Sequence, residues 1–257
     1  MISAATQSNP MSCDGRLILV TGASSGIGRA TAVLLSRLGA RLLLVGRSQE
    51  KLEQTLAALD GTGHRIEPFD LNETEEIPAW FKHLIAESGP LSGLVQCAGV
   101  QHYTPARFIT VDKINRMMKV NVFSTTMLAK CCAGKGAVLP GGSLVFIASV
   151  AGLVGDAGLS VYAASKGAVI ALTKSLALEF APAKIRVNAV APGCVETDML
   201  DKMRLNLTAD QVQALAAKHP LGFGTAEDVA HAVAFLLADT GRWITGSVLT
   251  VDGGYTA

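Results

Sequence analysis

Short apolar runs rich in valine, isoleucine and leucine alternate along the chain with longer segments of helical period. The runs predict strands over Arg16–Thr21, Arg41–Gly46, His64–Phe69, Gly93–Cys97, Gly142–Ala148, Arg186–Ala191 and Ser247–Val251. They are almost continuously apolar, which suits strands buried on both faces beneath covering helices. Between them, apolar positions at three- and four-residue spacing predict helices over Gly26–Leu38, Ser48–Leu59, Glu73–Glu87, Val111–Ala133, Val161–Phe180 and Ala226–Ala238. Seven strands alternating with helices predict the α/β class: one doubly wound Rossmann domain with a seven-stranded parallel sheet flanked by helices.

No repeat, charge block or shift of composition divides residues 15–257, so they read as one domain. Residues 1–14 are polar and small, without the basic start and apolar centre of a signal peptide, and read as a flexible tail. One stretch, Pro192–Pro220, breaks the rhythm. It is long for a strand–helix connection and carries a short amphipathic segment, Met199–Leu207. An insertion over about 194–220, at the C-terminal edge of a strand, reads as a lid.

Composition narrows the function classes. With 257 residues, 49% hydrophobic and 17% charged, the chain has ample material for a core and excludes disorder. Twenty-two basic and 21 acidic residues leave a net charge of +1. That removes the electrostatic footprint of a dedicated nucleic-acid binder and gives no reason to expect a polybasic membrane patch. No apolar run approaches the ~20 residues of a membrane helix. The five cysteines are odd in number and lack metal-ligand spacing, so no metal is expected. Free thiols suit a reducing, cytoplasmic setting.

The candidate chemistry begins after the first strand. Thr21-Gly22-Ala23-Ser24-Ser25-Gly26-Ile27-Gly28 opens a helix. Glycine lets backbone approach a phosphate, and a helix N-terminus offers free N–H groups and a positive dipole end. With a strand before and a helix after, this turn points to a dinucleotide. Gly46 and Arg47 stand where an NAD site usually places an acid. Arg47 can meet a 2′-phosphate, which favours NADP(H), or it can be a solvated charge. Ser48 can cap the next helix or touch the same phosphate. Asp70-Leu71, after the third strand, borders an adenine pocket, or Asp70 caps the helix near Glu73. Ala98-Gly99 lets backbone lie close against a cofactor, or is a plain turn.

Tyr162 and Lys166, four residues apart, share one helical face. A cation beside a phenol favours the phenolate, so the pair can exchange a proton with a carbonyl or alcohol oxygen. Ser149 ends the fifth strand, where a hydroxyl can meet a substrate oxygen. Asn121 lies inside a helical pattern that asparagine does not favour, as a local bend, a buried amide or a site residue.

Taken together, TGASSGIG at 21–28, Asn121 in KVNVFS, Ser149, YAASK at 162–166 and NAVAPGCVETDM at 188–199 resemble the short-chain dehydrogenase/reductase family. The resemblance runs from about Arg16 to Tyr255, and its nearest branch is the 3-oxoacyl-[acyl carrier protein] reductases. It implies Tyr162 as general acid/base and Lys166 lowering its pKa and bonding the nicotinamide ribose. Ser149 orients the substrate oxygen, and Asn121 holds a water that relays protons. It places Pro192, Gly193, Val195 and Thr197 at the nicotinamide end, and it implies a homotetramer or homodimer. Three departures stand out. Gln96-Cys97-Ala98-Gly99 replaces the usual Asn-Asn-Ala-Gly, Leu178 replaces a basic residue, and Phe223 replaces an arginine.

The substrate walls expected on this reading include Val150, Leu153, Leu159, Met199 and Met203, with Gln101 and His102 as further candidates. Their apolar character suits a chain or ring bearing a ketone or secondary alcohol. The expected activity is an NADP(H)-dependent ketone/alcohol oxidoreductase, reducing a 3-oxoacyl thioester or a related ketone. The alternative is a non-catalytic dinucleotide-binding sensor or scaffold.

Overall fold

A computed structural model of the protein describes residues 9–205 and 208–257. The strands are β1 (Leu17–Thr21), β2 (Arg41–Gly46), β3 (Arg65–Pro68), β4 (Leu91–Gln96), β5 (Val138–Ile147), β6 (Arg186–Pro192) and β7 (Val248–Val251). The helices are α1 (Gly26–Arg37), α2 (Gln49–Leu56), α3 (Ile77–Ser88), α4 (Val111–Met118), α5 (Ser124–Cys132), α6 (Ser160–Phe180), α7 (Asp198–Arg204), α8 (Ala209–Ala217) and α9 (Ala226–Leu237). The strands form one seven-stranded sheet in the order β3-β2-β1-β4-β5-β6-β7. Every pairing is parallel. The expected single-domain Rossmann architecture is the one observed.

Side chains alternate across a strand, so a strand buried on both faces must be apolar throughout. In β1, Leu17 and Leu19 face one core, which also contains Leu94, Phe146 and Val187. Ile18 and Val20 face the other core, with Val95, Val145 and Val190. Chain order reverses between β1 and β4, which opens a crevice at the strands' C-terminal ends.

Four boundaries differ from the sequence reading. Of the tail expected over 1–14, residues 1–8 lie outside the described residues, and residues 11–13 pack on the body. Cys13 is fully buried, its N–H donates to the Leu38 carbonyl at 2.7 Å, and Met11 packs on the same core. The helix expected from Glu73 begins at Ile77, because residues 73–76 are spent in turns ahead of Pro78. The helix expected over Val111–Ala133 is interrupted by a π-turn at Lys119–Phe123 that contains Asn121. The insertion after β6 folds as α7 and α8; of the amphipathic segment Met199–Leu207, residues 206 and 207 lie outside the described residues. No helix among the described residues is long and apolar enough to cross a membrane.

Candidate active site

The glycine turn links β1 to α1. Gly22 has φ +63°, and a Cβ there would stand 2.9 Å from the Ala98 nitrogen. A Cβ on Gly28 would collide with the Gly22 carbonyl. Only glycine therefore lets the turn, the start of α1 and the end of β4 close together. Ser25 makes no side-chain cap on α1, and the first turn carries no acidic residue. Its first N–H groups stay available to an anion.

A groove runs from this turn along the strand ends, lined by Gly22, Ser24, Ser25, Gly26, Ile27 and Gly28. Arg47, Asp70, Leu71, Ala98 and Gly99 continue its wall. Arg47 is exposed, and among the described residues no hydrogen-bond or ion-pair partner holds it. Ser48 instead caps α2, its hydroxyl accepting from the Lys51 N–H at 3.3 Å, and it does not line the groove. Asp70 does not cap α3. Its carboxylate accepts from the Asn72 N–H at 3.0 Å within the groove wall. The glycine cradle, the uncapped helix start and the free guanidinium fit a dinucleotide phosphate chain. Phe69, Asn72 and Val120 also line the groove and carry no motif that marks them in the sequence.

A second cavity adjoins the groove at Ile27, Cys97, Gly99, Val100, Thr197 and Met199. Ser149, Tyr162 and Lys166 meet on its wall, all buried. Ser149 follows β5, and its hydroxyl accepts from the Ala151 N–H at 3.2 Å, which holds the next turn. The Lys166 ammonium donates to the Ile147 carbonyl at 2.7 Å and sits 5.8 Å from the centre of the Tyr162 ring. Asn121 does not line either space but buttresses both. Its amide donates to the Ser165 hydroxyl at 3.0 Å and to the Val100 carbonyl at 2.9 Å. Its carbonyl accepts from the Val100 N–H at 2.8 Å, and the Ser165 hydroxyl donates to the Tyr162 carbonyl at 2.7 Å. The π-turn is thus bolted to the start of α6.

The electrostatics correct one expectation. Burial pushes the Tyr162 phenol up to about 12, with the Ser149 hydroxyl pulling the other way. Burial also lowers Lys166 to about 8. Desolvation penalises both charged forms; it dominates at the phenol, and the expected lowering by Lys166 does not appear there. Tyr162 is therefore a proton donor in this state.

The expected nicotinamide-end residues Pro192, Gly193, Val195 and Thr197 line the second cavity. So do Val150, Leu159, Met199, Met203 and Gln101. Leu153 does not: it ends the short turn after Ser149 and points its side chain outward, 45% exposed. His102 is exposed and is also not part of the wall. Asp156, His219 and Tyr255 also line it and carry no motif that marks them in the sequence. Their only shared signal is polarity, which nothing local ties to Tyr162. Among the described residues no cluster of ligating side chains could hold a metal.

Comparison with known proteins agrees with this geometry. A family model described as enoyl-(acyl carrier protein) reductase matches residues 22–256. The 3-oxoacyl-[acyl-carrier-protein] reductase of Rickettsia conorii is 38% identical over 241 residues, 93% of this chain and 96% of that one. The cis-4-hydroxycyclohexanecarboxylate dehydrogenase of Sinomonas cyclohexanicum is 36% identical, covering 94% of this chain and 97% of that one. A candidate 2-deoxy-D-gluconate 3-dehydrogenase from Agrobacterium tumefaciens, solved with NADP bound, superposes with a TM-score of 0.84 at 30% identity, covering 96% of this chain and 99% of that chain.

Proposed function

The chain belongs to the short-chain dehydrogenase/reductase family, and from that premise we propose that it interconverts a ketone and a secondary alcohol with NADP(H). The observation that carries the reading is the junction of two spaces. A glycine-lined groove with a free Arg47 opens directly onto the wall formed by Ser149, Tyr162 and Lys166. The turn Gly22–Gly28 and the start of α1 hold the pyrophosphate, Arg47 holds the 2′-phosphate, and Asp70 and Leu71 border the adenine. Pro192, Gly193, Val195 and Thr197 hold the nicotinamide end. When bound, the nicotinamide supplies or takes up the hydride.

The side chains manage the oxygen and its proton. Ser149 orients the substrate oxygen. In reduction Tyr162 gives that oxygen its proton, which a phenol held at about 12 still carries at neutral pH. The ammonium of Lys166 stabilises the phenolate left behind, and Asn121 positions a proton-relaying water. Val150, Leu159, Met199 and Met203 enclose the carbon skeleton. The substrate on this reading is a 3-oxoacyl thioester, or a related linear or cyclic ketone. We further propose that residues 15–257 act as one dehydrogenase/reductase domain with a lid over 194–220, in the cytoplasm, as a homotetramer or homodimer. The unpaired cysteines suit that compartment.

The test is nicotinamide absorbance with NADPH and, separately, NADH, against acetoacetyl-CoA and a panel of linear and cyclic ketones. Oxidation of NADPH by one of them is the expected result. Binding of NADPH without turnover of any substrate would favour the sensor or scaffold.

A further inference from the structure

We propose that His219 is a positioning residue for the cofactor end of the site, its bare Nε2 pinning the loop Pro192–Thr197 to the last turn of α8. The inference rests on the reading that this loop meets a nicotinamide dinucleotide. The side chain is buried at 3% exposure, and both ring nitrogens are engaged. The Cys194 backbone N–H donates to Nε2 at 3.1 Å, and Nδ1 lies 3.0 Å from the Leu215 carbonyl oxygen. A backbone N–H can only donate, so Nε2 is the bare nitrogen. A carbonyl can only accept, so Nδ1 carries the proton. The two bonds together assign the neutral Nδ1–H tautomer.

Position gives this tautomer its leverage. The ring is wedged between Phe223, edge-on at 5.2 Å, and Tyr255 at 4.8 Å. Its Nε2 lies against Gly193, where a Cβ would stand 3.1 Å away. From there the loop is zipped to the lid exit. The Gly224 N–H donates to the Cys194 carbonyl at 3.0 Å, and the Glu196 N–H donates to the Gly224 carbonyl at 2.8 Å. Arg204, at the end of α7, forks onto Glu196 at 2.8 Å and covers the Phe223 ring at 5.2 Å. His219 closes the end of this clasp nearest Gly193. It joins the loop that lines the cofactor end to the last turn of α8.

Only the Nδ1–H tautomer serves both bonds: with the proton on Nε2 instead, two donors, the ring N–H and the Cys194 N–H, would face each other. Every packed element is accounted for. Cys194 faces the ring from the loop after β6, and Lys218 from the end of α8, its ammonium 3.6 Å from Asp156 and 5.7 Å from the Tyr255 ring. Phe223 brings Arg204 on its far side. Asp252 and Tyr255 follow β7, and the Asp252 carboxylate is turned to Gly254 and Thr256. The Asp252 carboxylate is also near enough to the ring to interact with it electrostatically.

The experiment is a titration of the full chain with NADPH, read by its fluorescence, at about pH 8, on wild type, His219→Gln and His219→Phe. Glutamine keeps an acceptor for the Cys194 N–H, and phenylalanine keeps a ring without one. His219→Phe is expected to bind about tenfold more weakly than wild type, the worth of one buried hydrogen bond, and His219→Gln to recover most of that loss. Wild-type affinity in His219→Phe, or a loss in His219→Gln as large as in His219→Phe, would overturn the proposal. A merely structural histidine would lower the melting temperature without a loss of NADPH affinity that glutamine restores. If a variant does not fold, the imidazole ¹⁵N spectrum of the wild type decides: the Nδ1–H tautomer at pH 8 supports the proposal and the Nε2–H tautomer defeats it. The Nδ1–H tautomer in a protein that binds no NADPH would instead remove the cofactor reading, and this inference with it.

Discussion

Tyr162 shows how far a side chain's chemistry depends on where it is buried. Its spacing from Lys166 suggests a phenol made more acidic by a cation, yet burial raises it to about 12. Tyr162→Phe removes the proton and leaves the ring. Turnover should fall by at least about 10²-fold, the ordinary worth of a general acid, with NADPH binding retained. Appreciable ketone reduction by the variant would defeat the assignment. Lys166, lowered to about 8 by burial, is charged below that pH and neutral above it. Because the charge steadies the phenolate formed in reduction, kcat should fall as pH rises through about 8. A flat profile from pH 7 to 9 would separate Lys166 from the chemistry. At the groove, Arg47→Ala should weaken NADPH about tenfold, since hydrogen bonds to charged groups are worth about 1.5–3 kcal/mol and this one is exposed. NADH should scarcely change, and equal losses for both would place Arg47 away from the 2′-phosphate.

Between elements, the decisive feature is the joint of β4 with the π-turn. Gln96 stands where the family usually has asparagine, and its side chain is buried. Its carbonyl accepts from Thr21, while its amide donates to Ser124 at 3.2 Å and to Thr125 at 3.3 Å. The extra methylene lets one amide tie β1, β4 and α5 together. Ser124 and Thr125 in turn donate to the Val120 and Asn121 carbonyls of the π-turn. Gln96→Leu would leave several buried hydroxyls short of a partner, so urea unfolding should show a loss of about 1–3 kcal/mol. Stability equal to wild type would mean that the hydroxyls find other partners. The helical period is legible across 111–133, but the interruption is not, because it is paid for by contacts with β4 and α6 rather than by its own residues.

For the whole molecule, the groove spans the sheet's switch point, so a dinucleotide bound there touches both halves and should stabilise them together. At about 100 times its Kd, NADPH should add about 2.7 kcal/mol, or roughly 5–10 °C in Tm for a chain of this size. NADH at the same concentration should add less, and no shift with either would contradict the assigned groove. The sequence by itself determined the alternation of strands and helices, the glycine turn and the shared face of Tyr162 and Lys166. Each of these is set by residues only a few positions apart. Tertiary packing alone decided that Asp70 lines the groove while Ser48 does not, and that Leu153 turns outward. It also brought Asp156, His219 and Tyr255 from three distant segments to one cavity with Tyr162. Burial and the pairing of remote polar atoms depend on which surfaces meet, and no local period encodes that.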